Sequence, residues 1–417
     1  MLKGAIMKGY NLSNFKNGKA FIHFDGIKNG KGDYGARICI DTNGNKLFEL
    51  PDRDMIVDDF EDEDIAFVME KGCLYAVMNN KGEFLTDFIY NSVCGGSEEG
   101  FFEVKRNGKH GHIDINGKEV IPCMYDEGSH FSEGVAAECM NRKWGMVDYF
   151  NNTVIPFEYE EIFICKNNII SAKKNGKYGL INKNNEIIID FQYDKIANWI
   201  TRECLVYLAK KDNKWGLIDR YNNTIEDFIY DDAELILDNE NNAREFIIFL
   251  KDDKKAIYST MRNNFITDFI YDFIGDLSDG RFSVYADNKK GFVDTFGYTV
   301  VPCIYENTEY FEEYKEGVCV VAQNKKYGLV DLEGNLVVSC KYKKLHSCNE
   351  GLILATDFDD RNGYIDKKGN IIIPFGKYIS YSGFHCGFAK VWSNEHGHVY
   401  IDKTGEILEI KNEGQTT

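Results

Sequence analysis

Apolar and polar residues alternate along most of this chain in short runs, and the same order of runs returns about every 36 residues. The stretch Lys143-Trp144-Gly145-Met146-Val147-Asp148-Tyr149-Phe150-Asn151-Asn152-Thr153-Val154-Ile155-Pro156-Phe157-Glu158-Tyr159 shows the order in full. An aromatic and a glycine open it, two apolar residues and an Asp follow, then a polar turn, an apolar run and a Tyr. With the Asp as marker, copies fall at Asp41, Asn79, Asp114, Asp148, Asn182, Asp219, Ser259, Asp294, Asp331, Asp366 and Asp402. An apolar run precedes each marker motif, as in Phe131-Ser132-Glu133-Gly134-Val135-Ala136-Ala137 and Glu316-Gly317-Val318-Cys319-Val320-Val321. Between that run and the marker lie residues such as Lys174-Asn175-Gly176-Lys177, which is hairpin chemistry. An Asp with Gly or Asn three residues on favours a type I turn. Each period therefore predicts three short antiparallel strands joined by two tight turns.

Eleven such meanders predict an all-β, open, curved solenoid-like array over residues 1–410, with helix scarce. Eleven units exceed the ~4 to 8 blades of most propellers and three strands fall short of the usual four, so one or two β-propellers form the alternative. The copies are atypical near 1–90 and 380–410, as expected of repeats that present a soluble end. Residues 411–417 form a polar tail, and the longest spacer, around Asp238-Asn239-Glu240-Asn241-Asn242, predicts a projecting loop.

The Trp144-Gly145 and Trp215-Gly216 pairs, with their Tyr178-Gly179 and Tyr327-Gly328 versions, resemble the signature of WG-repeat (KWG-type) proteins over nearly the whole chain. The resemblance implies a bacterial interaction scaffold. The signature residues, completed by Asp148, Asp219, Asp331 and Asp366, have a physical reading that needs no ligand. A glycine lets a neighbouring strand or ring lie against its backbone, and the adjoining aromatic supplies buried area between units. Pro122, Pro156, Pro302 and Pro374 share one phase, expected at the end or exposed edge of the third strand.

Charge and composition narrow the function. A formal charge of -18 opposes a phosphate-tracking surface, so no nucleic acid is expected. The acidic run Asp58, Asp59, Glu61, Asp62, Glu63 and Asp64 lacks the Gly and closing Glu of a calcium loop and suits a basic protein partner. His110-Gly111-His112 and His396-Gly397-His398 invite a metal, yet they differ in phase and no Cys or carboxylate joins them at ligand spacing. Twelve scattered cysteines, of which Cys123, Cys303 and Cys340 share a phase, point to reduced thiols. No apolar run reaches the ~18 residues of a membrane span, and Met1 to Tyr10 hold no signal-peptide core, so the cytoplasm is expected. A nucleophile elbow, a phosphate loop and a dinucleotide fingerprint are all missing, which gives a non-catalytic protein with no cofactor. Protein binding through the extended face is the leading expectation. The alternative is a glycan- or cell-envelope-binding module that uses the repeat aromatics, since short aromatic-Gly β-repeats also resemble the choline-binding repeats of clostridial-type toxins.

Overall fold

The computed structural model describes residues 10–12, 18–28, 31–42, 45–50, 55–57, 65–70, 74–96, 99–163, 167–197, 206–236, 245–307, 313–379 and 381–408. The acidic run 58–64, the spacer 238–242 and the tail 411–417 lie outside these residues. Among the described residues every regular element is a strand. The chain divides into two compact units, Met1–Asn198 with Glu409–Thr417, and Trp199–Leu408. The first holds the modules marked by Asp41, Asn79, Asp114, Asp148 and Asn182, and the second those marked by Asp219, Ser259, Asp294, Asp331, Asp366 and Asp402.

All-β architecture in small antiparallel sheets is as the sequence predicts, but the usual strand number is four, not three. In the Asp148 module the order is Glu127–Gly128, Val135–Met140, Lys143–Asp148, Thr153–Tyr159, each paired with the next. The added strand is only two residues long and is separated by one residue from the Tyr of the preceding module, too short to produce an alternation in sequence. Glu161–Ile162 and Lys344–Leu345 repeat it. Four-stranded antiparallel meanders are the make-up of propeller blades, which agrees with the alternative architecture.

In the Asp148 module the second strand is buried along nearly its whole length and the third at Gly145, Met146 and Val147, because this sheet packs a neighbour on both faces. Val135, Ala137, Met146 and Ile155 of one module close on Ile162, Ile170, Ala172 and Ile181 of the next. On the opposite face Ala136 and Val147 meet Ile121, Tyr125 and Phe131. Two kinds of turn set the register. Asn107-Gly108, Asn141-Arg142 and Asp212-Asn213 carry positive φ at both residues, the type I′ geometry that suits the strand twist. At the marker turn the third residue after the Asp, Asn151 or Gly369 for example, takes the left-handed conformation.

The marker glycine decides the outer strand. A methyl group on Gly111, Gly145, Gly179, Gly216, Gly291, Gly328 or Gly363 would sit 2.4 to 2.8 Å from a carbonyl oxygen of the fourth strand. At this point the ladder bulges: Trp144 faces Tyr159 and Met146 faces Ile155, with Gly145 between them. Pro122, Pro156 and Pro302 lie in the bulged stretch, exposed and inside the fourth strand, while Pro374 directly follows Ile371–Ile373. Two modules carry alanine at the glycine position, Ala76 and Ala256, and their outer strands are cut back. The first keeps isolated bridges at Phe84 and Tyr90, and the second keeps Asn264–Phe265 and a bridge at Tyr271. In both, a threonine hydroxyl takes over the ladder, Thr86 accepting from Val77 N–H and Thr267 from Ile257 N–H, each at 2.9 Å. Gly145→Ala is therefore expected to cost about 1 to 3 kcal/mol through strand displacement. Amide exchange should rise along Thr153–Tyr159 and stay unchanged in Val135–Met140, and equal protection in both strands would refute the role given to the glycine.

Candidate functional site

The marker Asp is a staple of its own turn. Asp148 Oδ1 accepts the N–H groups of Phe150 and Asn152 at 2.9 and 2.8 Å, and Oδ2 takes the Asn152 side-chain amide at 2.9 Å. Asp219, Asp331 and Asp366 repeat the pattern with Asn223, Asn335 and Asn370. The Asn223 amide holds the Asp219 carboxyl below its usual range. These carboxylates have spent their acceptors on the backbone and the Asn side-chain amide of their own turn, so they order that turn. The lysine before the marker aromatic reaches an acid after the fourth strand: Lys109 meets Asp126 at 2.5 Å, and Asp126 also accepts Asn141 N–H of the next module. Trp215 is 6% exposed and Tyr178 8%, the latter donating its hydroxyl to Glu161 at 2.6 Å. Trp144 and Tyr327 are half-buried against the inter-module clusters. Gly145, Gly179, Gly216 and Gly328 sit at the bulges described above.

The stapled turns carry exposed aromatics that the sequence reading did not single out. In the second unit Tyr221 and Phe296 stand two residues after their markers, 75% and 62% exposed, and Tyr298 four after, 72% exposed. Phe296 and Tyr298 stack with ring centres 6.4 Å apart, and the Arg262 guanidinium covers Phe296 at 4.3 Å. The recurrence of an aromatic within an otherwise polar turn was the available signal. In the first unit Phe150 holds the same position, also exposed.

A second set of contacts runs from module to module at the entry of the second strand. Glu133-Gly134, Glu316-Gly317 and Glu350-Gly351 form turns with positive φ at both residues, whose N–H groups converge. Each accepts a carboxylate from the preceding module: Glu99 at Gly134 N, 3.2 Å; Asp279 at Gly317 N, 2.6 Å; Glu316 at Gly351 N, 2.7 Å. The relay goes on from Glu133 to Asn167 and Asn168, and from Glu350 to Gly387 N at 2.8 Å. Lys183, Lys367 and Lys403 add charge to Glu133, Glu316 and Glu350.

Seven segments match the WG containing repeat: residues 75–109, 111–144, 144–178, 178–215, 291–327, 327–356 and 363–391, together more than half of the chain. The chain belongs to the WG-repeat family. Two matches, 144–178 and 178–215, run from one marker aromatic to the next, and the gap from 215 to 291 contains the Ser259 module with its Ala256. No functionally curated protein matches the chain. Among solved structures it is similar to a eukaryotic initiation factor, 11% identical with a TM-score of 0.42, covering 75% of this chain and 94% of that one. It is also similar to the WD40 β-propeller domain of Doa1, 13% identical with a TM-score of 0.27, covering 55% and 88%. BamB from Moraxella catarrhalis is 12% identical with a TM-score of 0.26, covering 74% and 95%. Among the described residues no helix is long and apolar enough to cross a membrane.

One WG-repeat junction in the first unit is polar at its centre. His112 Nε2 lies 2.6 Å from Glu138 Oε1, both side chains fully buried. Other repeats place Met146, Leu180 or Leu217 at the His112 position, and Ala172 or Ala209 at that of Glu138. Phe131 covers the imidazole edge-on at 4.9 Å, and Glu103 stands beside His112 in the ladder. Burial pushes His112 down to about 4 and Glu138 up to about 9, with Glu103 raising both. His112 Nδ1 and Glu138 Oε2 have no hydrogen-bond partner among the described residues. His112 thus belongs to a buried contact, His110 is half-buried on the same strand, and His396 and His398 stand in another unit. Among the described residues no group of three or more metal-ligating side chains converges.

Proposed function

We propose that this WG-repeat chain is a non-catalytic scaffold that binds a protein partner through the marker-turn rim of its second unit. The display of Tyr221, Phe296 and Tyr298 on hydrogen-bonded turns carries the reading. Aromatic residues and arginine are the usual anchors of protein interfaces, and rigid turns lose little freedom when they bind. The chain's charge of -18 favours a basic partner and opposes nucleic acid. The acidic run 58–64 belongs to the same reading as a second, salt-sensitive contact. Glycan binding by the marker aromatics would need Trp215 and Tyr178 in an open groove, and their burial counts against it. Buried thiols outside any disulfide at Cys39, Cys139 and Cys348 suit the cytoplasm of a bacterial cell.

The test is a capture experiment from the native cell, followed by affinity measurement on the protein recovered. Combined Tyr221→Ser, Phe296→Ser and Tyr298→Ser substitutions should weaken binding about tenfold or more, the scale of losing interface anchors, with an unchanged melting curve. Undiminished binding by this variant would overturn the proposal.

A further inference from the structure

The carboxylate relay has a break, and the break is a cavity. Asp279-Gly280 opens the second strand of the Asp294 module with the same pair of left-handed residues, φ 46° and 71°, as Glu133-Gly134 at 53° and 81°. In register, sister modules place Glu99, Glu133, Asp279, Glu316 or Glu350 where the preceding module would supply a carboxylate to this turn. The preceding module has Arg244 at that position in its sequence. Gly280 N–H meets no acceptor among the described residues, and a methyl group on Gly280 would meet nothing within 4 Å. The space beside it is a cavity of about 360 Å³ lined by Gly280, Arg262, Ser259, Thr295, Phe246 and Leu277, with Met261 and Glu245 completing its wall.

Arg262 is held in place at this cavity. Its Nη1 donates to Thr295 O at 2.6 Å, its backbone N–H donates to Ser259 Oγ at 3.3 Å, and its plane lies over Phe296. Nε and Nη2 are left with no partner among the described residues, two donors in the fork geometry that matches a carboxylate. Arg281 adds positive charge behind the turn, with its Nη1 bound to Gly280 O at 2.9 Å. The Asp279 carboxylate is already engaged at Gly317.

We propose that this cavity is a binding site for a carboxylate, seated between the Gly280 N–H and the Arg262 guanidinium. The site takes from outside the group that sister modules receive from within the chain. Its occupant is an acidic side chain of the rim's protein partner, and only that identity rests on the function proposed above. Phe296 lies against Arg262 and Tyr298 stacks on Phe296, so a peptide that places its carboxylate in the cavity lies across the exposed aromatics. Glu245 is the opposing charge in the wall, and Glu245→Gln should tighten the site.

The probe is N-acetylglutamate amide, with N-acetylglutamine amide as its uncharged isostere, titrated into the full chain carrying ¹⁵N-glycine. The Gly280 amide should shift with the acid and not with the amide, while Gly134, already filled by Glu99, stays still. Arg262→Ala should weaken binding about tenfold or more, as for loss of a charge-assisted hydrogen bond. Arg244→Glu, which installs the acid that sister modules carry at this position in sequence, should abolish the shift in a chain that melts like the parent. No shift at Gly280, an equal shift with both probes, or full binding by Arg262→Ala would overturn the site. If the probe binds but the serine-substituted rim still captures its partner, the site stands and the rim function falls. If capture depends on the rim aromatics and the probe does not bind, the reverse holds.

Discussion

Trp215→Ala is expected to destabilise the chain by about 3 to 5 kcal/mol, the range for truncating a buried aromatic where the surroundings relax only in part. Trp215 is 6% exposed, Lys210 covers its ring at 5.7 Å, and its strand Lys214–Asp219 is buried at four successive positions after the first. Trp144→Ala should cost less, because Trp144 is half-buried at the margin of its cluster. In a repeat array stability is close to a sum of unit and nearest-neighbour terms, so the damage should centre on one module. Hydrogen exchange should therefore show lost protection in Val206–Lys211 and Thr224–Tyr230, fading within one module on the described side. An unchanged exchange map with binding abolished would make Trp215 a ligand contact and remove the packing role.

Which features could be read from the sequence depended on whether local chemistry alone determined them. The marker turns and the Asn-Gly hairpins are local: Asp148 and Asn152 hydrogen-bond within five residues, and Asn107-Gly108 needs positive φ whatever surrounds it. The two-residue first strand was not legible, since Glu127–Gly128 exists only by pairing with Cys139 and Glu138. The marker glycine was legible as a site of close approach, but its consequence was not. Only the comparison of Gly145 with Ala76 and Ala256 shows that the residue governs the outer strand. The carboxylate relay joins residues 34 to 38 apart, such as Glu133 with Asn167 and Asp279 with Gly317, so no local window contains it. His110-Gly111-His112 drew attention as a triplet, whereas the partner that matters, Glu138, lies 26 residues on. A charge at a position that is alanine in neighbouring repeats was the signal for it.

Stability should fall by about 3 kcal/mol between pH 6.5 and 9 because of the His112–Glu138 junction, the free-energy equivalent of about 2.5 pKa units. Glu138 is raised from 4.5 to about 9, so between these values the folded chain holds a proton that the unfolded chain has released, and stability drops as pH rises. His112 is lowered from 6.5 to about 4, so between these values the unfolded chain holds the extra proton, and stability climbs with pH. The two slopes oppose each other from 4.5 to 6.5, which leaves the fall from 6.5 to 9 as the visible limb. Glu103, pushed up by burial, adds to the fall just above 4.5. Buried thiols act later: Cys39 is raised from 9.0 to about 12, so its contribution is lost mainly above pH 9. The pair is net neutral whichever partner carries the proton, and alkaline pH breaks that neutrality by leaving a carboxylate in the core beside Glu103. The double change His112→Leu and Glu138→Ala, which installs the residues of sister repeats, should flatten the limb and be near neutral or stabilising at pH 7. His112→Leu alone should cost about 1 to 3 kcal/mol at pH 7, since it leaves the buried, protonated Glu138 carboxyl without its hydrogen-bond partner. Denaturant unfolding at steps from pH 5 to 9 checks each value, and a double variant with the parent's slope would exclude the junction as its source.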